Sequence, residues 1–254
     1  MSSDVLAPAE PDQVSQMLRD AAREGATVLP RGAGTKIDWG GPVPTGVTVD
    51  LSGLDTVLEH AAGDLVVRVQ SGVRLSDLAE ALAPAGQRLA IDEVVPGSTV
   101  GGVISTALSG PSRMLYGGVR DLLIGITVIR PDGAVTHSGG KVVKNVAGYD
   151  LGKLYTGAFG TLGIVTEAIF RLHPLPEHAA WVGVELADET AVGHAVAAVL
   201  DSQVTPSAVE VARADQTGPL TVSVLLEGVR PGVEARTSTV AGLLGPGAEV
   251  ATDA

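Results

Sequence analysis

The sequence predicts an α+β protein in two parts. Up to about residue 172 strands and helices follow one another without regular βαβ alternation. His173-Pro174-Leu175-Pro176 then breaks the chain. Beyond the break the pattern reads βαββαβ, the order of a split-βαβ module. The expected domains are 1–176 and 177–254, the second a small ferredoxin-like unit that looks short at its C-terminus.

In chain order, Val14, Met17, Leu18 and Ala21 fall at i, i+3, i+4 and i+7 and predict a helix over 11–24, stopped by Gly25. Short strands are expected at Thr27–Leu29, Val47–Leu51 and Thr56–Glu59. A better one is Leu65–Gln70, with Val67 and Val69 on one face and Arg68 and Gln70 on the other. Leu75–Ala83 reads as a helix closed by Pro84 and Gly86. Leu122–Arg130 and Ala134–Ser138 flank Pro131-Asp132-Gly133 and predict a hairpin. Thr161–Leu172 is the last strand of the first part. In the second part Trp181–Leu186, Ala208–Ala212, Leu220–Leu226 and Ala248–Thr252 are expected strands, and helices fall around Val192–Val199 and Val233–Leu244.

Composition narrows the function classes. Hydrophobic residues make up 45% of the 254 residues, enough for a sizeable core, while aromatics make up only 3%. Ala, Val, Leu and Ile must therefore build that core. The net charge of −12 argues against a nucleic-acid binder. Residues 176–254 carry 11 acidic and 3 basic side chains, a net of −8, against 18 and 14, a net of −4, in residues 1–175. An anionic ligand is thus better placed in the first part. With no cysteine there is no disulfide, no thiolate nucleophile and no Cys-ligated iron–sulfur cluster. No apolar run reaches the roughly 20 residues of a membrane span, and no charged-then-apolar leader opens the chain. A cytoplasmic protein, with no membrane span, is the expectation.

Glycine is enriched, with 33 residues against an average near 7%, and it gathers in three segments. Pro30-Arg31-Gly32-Ala33-Gly34-Thr35-Lys36 lets successive amides turn toward one point, a concavity suited to phosphate oxygens, with charge from Arg31 or Lys36. Pro96-Gly97-Ser98-Thr99-Val100-Gly101-Gly102 opens a helix near Thr99 whose free N–H groups would aim at an anion, or which is simply Ser-capped. The longest, Gly139–Gly163, contains Lys141, Lys144 and Lys153. Three such segments suit a long phosphorylated cofactor better than unrelated turns.

Together PRGAGTK at 30–36, PGSTVGG at 96–102, YGGVRDLLIG at 116–125 and GGKVVKNVAGYDLGKLYTGAFGTLGIVTE at 139–167 resemble the FAD-binding domain of the vanillyl-alcohol oxidase and p-cresol methylhydroxylase (PCMH) family. Within it they are most similar to the FAD-binding E subunit of bacterial glycolate oxidase. The resemblance covers about residues 10–176. It implies a two-lobed FAD domain with non-covalent cofactor. Arg31, Gly32, Ala33, Gly34, Thr35 and Lys36 would wrap the pyrophosphate. Glu93, Val94, Val95, Pro96, Gly97, Ser98 and Thr99, with Gly101 and Gly102, would line the pyrophosphate and ribityl chain. Thr106, Ala107, Leu108 and Ser109 would lie near the flavin ring. Phe159, Gly160, Thr161, Leu162, Gly163, Ile164 and Val165 would hold ribose and adenine. Glu93 departs from the family pattern of a small or apolar residue or a proline, and a carboxylate there has to point away from a diphosphate.

The implied activity is oxidation of a small 2-hydroxy acid, glycolate to glyoxylate, in a complex with a second flavin subunit and an iron–sulfur subunit, peripheral to the membrane through those partners. Alternatives are a stand-alone FAD-dependent 2-hydroxy-acid dehydrogenase and a flavin-holding subunit without catalysis. His60, His137, His173, His178 and His194 form no HxH or HExxH pair, so no metal is expected. Ser71, Ser98 and Ser105 show no His–acid partner. Lys144, Tyr149, Asp150 and Arg120 are polar residues near the expected flavin loops, and no catalytic base is assigned. Thr35-Lys36 stands where a covalent His would follow the Gly-Ala-Gly and there is no cysteine, so non-covalent flavin is expected, with Tyr116, Tyr149 and Tyr155 formally possible attachment points.

Overall fold

The computed structural model describes residues 4–41, 44–141, 150–216 and 218–252. These form two compact units, one of residues 1–110 and 118–174 and one of residues 111–117 and 175–254.

The first unit opens with β1 (Asp4–Leu6), α1 (Pro11–Glu24), β2 (Val28–Arg31) and β3 (Val47–Asp50). The strands make a parallel sheet in the order β1-β3-β2. Pro11 starts α1 where a missing N–H costs nothing, and the Gln13 side chain accepts from the amides of Ala9 and Glu10 at 2.6 and 3.3 Å. Gly25 ends it in the left-handed region at φ +67°. The buried face of α1, Val14 and Leu18, packs with Val49, Leu51, Leu54, Ile129 and Ile164. Truncating Leu18 to alanine would cost about 2–5 kcal/mol.

A second sheet supplies Ile129 and Ile164. The chain continues through β4 (Val57–Ala61), β5 (Val66–Gln70), α2 (Leu75–Leu82), β6 (Gln87–Arg88) and α3 (Val100–Thr106). The one-turn α4 (Arg113–Tyr116) belongs to the other unit. There follow α5 (Val119–Leu122), β7 (Leu123–Ile129), β8 (Val135–Gly139), α6 (Leu151–Tyr155), β9 (Ile164–Arg171) and β10 (His173–Pro174). Strands β4-β5-β9-β7-β8 form an antiparallel sheet with β9 at its centre. Central position matches sequence: Ile164, Val165, Ala168 and Phe170 of β9 are all buried. β9 starts three residues later than expected, because 161–163 stay in the preceding loop.

The second unit continues with β11 (His178–Leu186), α7 (Glu189–Leu200), β12 (Ala208–Arg213), β13 (Leu220–Gly228), α8 (Arg230–Leu244) and β14 (Glu249–Thr252). The sheet order β12-β13-β11-β14, antiparallel throughout, is that of a ferredoxin-like fold. Inward-facing Ala180, Val182, Val184, Val222, Val224 and Leu226 meet Val199, Val233 and Val240 of the two helices. α4 packs against β12 in this unit, and the Tyr116 hydroxyl donates to Glu227 at 2.9 Å.

Candidate functional site

A cavity of about 610 Å³ lies within the first unit, in the range of small-molecule and cofactor sites. It is lined by residues 29–41, by Ser71, Thr99, Gly101, Gly102, Ser105 and Thr106 at and before α3, and by Phe159–Thr161 and Gly163–Val165 before and within β9.

The first glycine segment forms one wall. β2 runs two residues further than expected and carries Arg31 inside the sheet, where its guanidinium donates to Asp50 at 2.7 Å. Burial pushes the Asp50 carboxyl up, and hydrogen bonds from Ser52 and Arg31 outweigh it, leaving that carboxyl below its ordinary value. After Arg31 the chain leaves the sheet. No amide N–H from Gly32 to Lys36 donates to another described residue. Gly34 takes φ +71°, in the left-handed region that glycine favours. Gly32 sits where an added Cβ would lie 2.3 Å from Thr99 Oγ1, so the first and second segments touch here and only glycine fits.

The second segment behaves otherwise. Val100 N donates to Val73 O at 2.8 Å, Gly101 N to Ser71 O at 2.7 Å, and Gly102 N to the N-cap Thr99 Oγ1 at 3.3 Å. The first amides of α3 are therefore satisfied within the chain and are not free to meet an anion. Before them, the amides of Gly97 and Ser98 both donate to Glu93 Oε1, at 2.8 and 3.1 Å. Residues 93–98 do not line the cavity. Glu93 thus turns onto its own loop. Lys36 stands beside it, donating to Ser98 Oγ at 2.7 Å and Thr35 Oγ1 at 3.1 Å. Burial pulls the Lys36 ammonium below its ordinary value, and the Glu93 carboxylate opposes that pull.

The third wall is stitched to α3. Gly157 N donates to Ile104 O at 2.9 Å and Phe159 N to Ser105 O at 2.8 Å. Phe159 holds φ +52°, unusual for a bulky residue. The motif's middle, 142–149, with Lys144 and Tyr149, lies outside the described residues. Asp150 pairs with Lys153 at 3.2 Å. Neither Asp150 nor Arg120 reaches the cavity wall, nor do Ala107, Leu108, Ser109 and Leu162.

Sequence reasoning missed Ile37–Gly41, Leu29, Pro30, Thr45, Leu51 and the two serines Ser71 and Ser105 as wall residues. Gly40-Gly41 signalled that the turn continues past Lys36. Nothing local marks Ser71, whose Oγ is buried without a hydrogen-bond partner. Among the described residues no group of three or more His, Asp or Glu side chains converges as a metal site.

Open amides on one wall and an orphaned hydroxyl at Ser71 fit an elongated, phosphorylated ligand. Fold and cavity together define a nucleotide-cofactor-binding α+β protein. The model of the family described as FAD binding domain matches residues 3–139, and the chain belongs to this family, whose cofactor is FAD. It is 36% identical over 204 residues to an uncharacterized FAD-linked oxidoreductase of Mycobacterium tuberculosis, covering 80% of this chain and 44% of that protein. It is 38% identical over 180 residues to glycolate oxidase subunit GlcD of Bacillus subtilis, 70% of this chain and 38% of the relative. With glycolate oxidase subunit GlcE of Escherichia coli the identity is 32% over 197 residues, 77% and 54%. The chain spans about half the length of the curated relatives it matches. Alkyldihydroxyacetonephosphate synthase shares the fold at a TM-score of 0.79 and 19% identity, over 98% of this chain and 53% of that one.

Proposed function

We propose that this chain is the FAD-holding part of a dehydrogenase complex that oxidises a 2-hydroxy acid, with glycolate as the substrate. The observation that carries the reading is the row of open amides at 32–36 on the wall of a cofactor-sized cavity. These amides would hold the diphosphate by dipole, and the Lys36 ammonium, which lines the same cavity and donates to the neutral hydroxyls of Ser98 and Thr35, would add charge, whereas Arg31 is paired with Asp50. Thr99, Ser105 and Thr106 add polar groups at the α3 wall. Bound FAD supplies the two-electron acceptor that converting an alcohol to a carbonyl requires.

The names of relatives in Bacillus subtilis and Escherichia coli support glycolate and a multi-subunit assembly. These 254 residues contain no cysteine, so thiolate-held iron–sulfur clusters would sit on a partner. The test is a glycolate assay with an artificial acceptor, with and without the companion flavin and iron–sulfur subunits. The expected result is a yellow chain with little turnover alone and activity on reconstitution. Robust turnover by the chain alone would mean a stand-alone dehydrogenase.

A further inference from the structure

The chain has two tryptophans, three tyrosines and two phenylalanines, and so few aromatics would ordinarily be drawn into the core. Two of them are left half in solvent on the same cavity. Trp39 is 44% exposed and Phe159 52% exposed, and both line it. Ile37, 42% exposed, lies beside Trp39 in sequence and also lines it. Trp39 is delivered directly by the open-amide segment: Ile37 N donates to Gly34 O and Trp39 N to Lys36 O, both at 3.2 Å, so consecutive turns carry the chain from amides to ring. Phe159 is held at φ +52°, a conformation costly for a bulky residue, and its amide N–H donates a hydrogen bond to Ser105 O. Such strain persists only where the surrounding structure holds it, and it clusters at ligand-binding sites.

From this pairing of exposed rings with open amides we propose that Trp39 and Phe159 are stacking surfaces for a planar heteroaromatic ring of the bound dinucleotide. The inference rests on the FAD reading above and deepens it. A diphosphate seated on the amides of 32–36 would leave a ring system at each of its ends. Flat aromatic side chains bind such rings through dispersion and desolvation, with little demand on hydrogen-bond pattern.

Trp39 and Trp181 are the two tryptophans, and Trp181 lies in β11 of the other unit. In full-length Trp181→Phe protein, Trp39 emission is followed while ADP is added, and ADP and FMN affinities are measured by calorimetry. The proposal predicts that one of the two ligands binds with a loss of about tenfold in Trp39→Ala, most of it restored in Trp39→Phe. If that ligand is ADP, Trp39 emission shifts as well. ADP as the sensitive ligand assigns the adenine to Trp39, and FMN assigns the flavin ring. Phe159→Asn, which suits left-handed backbone, should hold or raise the Tm of the ligand-free chain while weakening the same ligand. Unchanged affinities for both ligands in a chain that binds FAD, and loses it on Gly34→Asp, overturn the stacking role and leave the site reading intact. A wild-type chain that binds no FAD overturns both.

Discussion

Glu93 and Arg31 both bring charge to the edge of the cavity, and both use it within the chain. Glu93 accepts two amides of its own loop. Glu93→Gln keeps an acceptor and should be nearly neutral in thermal unfolding. Glu93→Ala leaves two amides without one and should cost about 1–3 kcal/mol, with Lys36 falling further below its ordinary value once the opposing carboxylate is gone. Against the upward push of burial, hydrogen bonds from Ser52 and from Arg31 hold Asp50 below its ordinary value. Such a carboxylate adds stability above its unfolded value, and that stability is lost as pH falls through the folded one. Arg31→Met should therefore be less stable than wild type at neutral pH, by no more than about 1 kcal/mol for so exposed a pair. The gap should close in strong acid, and chemical denaturation at several pH values measures it. The pairing of Arg31 was not legible in the sequence, because Arg31 reads as part of a loop until β2 is seen to run through it.

At the scale of elements, the site is a junction of three loops that end or begin on secondary structure. Gly32 lies against the N-cap of α3. Gly32→Ala would put a methyl group into Thr99 Oγ1 and should lower both FAD affinity and Tm. Thr99→Ala removes that oxygen, and with it a cap worth about 1 kcal/mol. Because the residues touch, the double variant should be less damaged than the sum of the singles. Strict additivity in unfolding and flavin titration would show that the two loops do not meet here. Most elements were legible because their apolar periodicity is local: α1, β5, α2, the β7–β8 hairpin and the whole βαββαβ unit. The one-turn helices α4, α5 and α6 were not, since four or five residues carry no period and depend on tertiary contacts. For the second glycine segment the sequence left open whether the first amides of its helix face an anion or are capped. Its amides find partners on Ser71, Val73 and Glu93, and only the folded chain shows that the first two lie opposite it.

At the scale of the molecule, the acidic residues 176–254, at a net of −8, contrast with residues 1–175 at −4. If that charge meets a basic partner surface, co-purification of the complex should weaken as ionic strength rises. Salt-independent association would assign the charge to solubility alone. Segment 111–117 joins the second unit although it lies within the first unit's sequence, so the polypeptide crosses between units more than once, a feature that a single break at 173–176 did not reveal.

The central claim is that open amides at 32–36 hold the diphosphate of FAD. Gly34 is the position to test, because an added Cβ meets only the Arg31 side chain at 3.6 Å and both Asn and Asp tolerate left-handed backbone. The measurement is the flavin bound by purified wild-type, Gly34→Asn and Gly34→Asp chains, read from the visible spectrum before and after acid precipitation. The account predicts flavin released by acid from wild type, most of it retained in Gly34→Asn, and loss of more than tenfold in affinity for Gly34→Asp, which adds a negative charge to the loop that holds the phosphates. A full flavin complement in folded Gly34→Asp protein would contradict it.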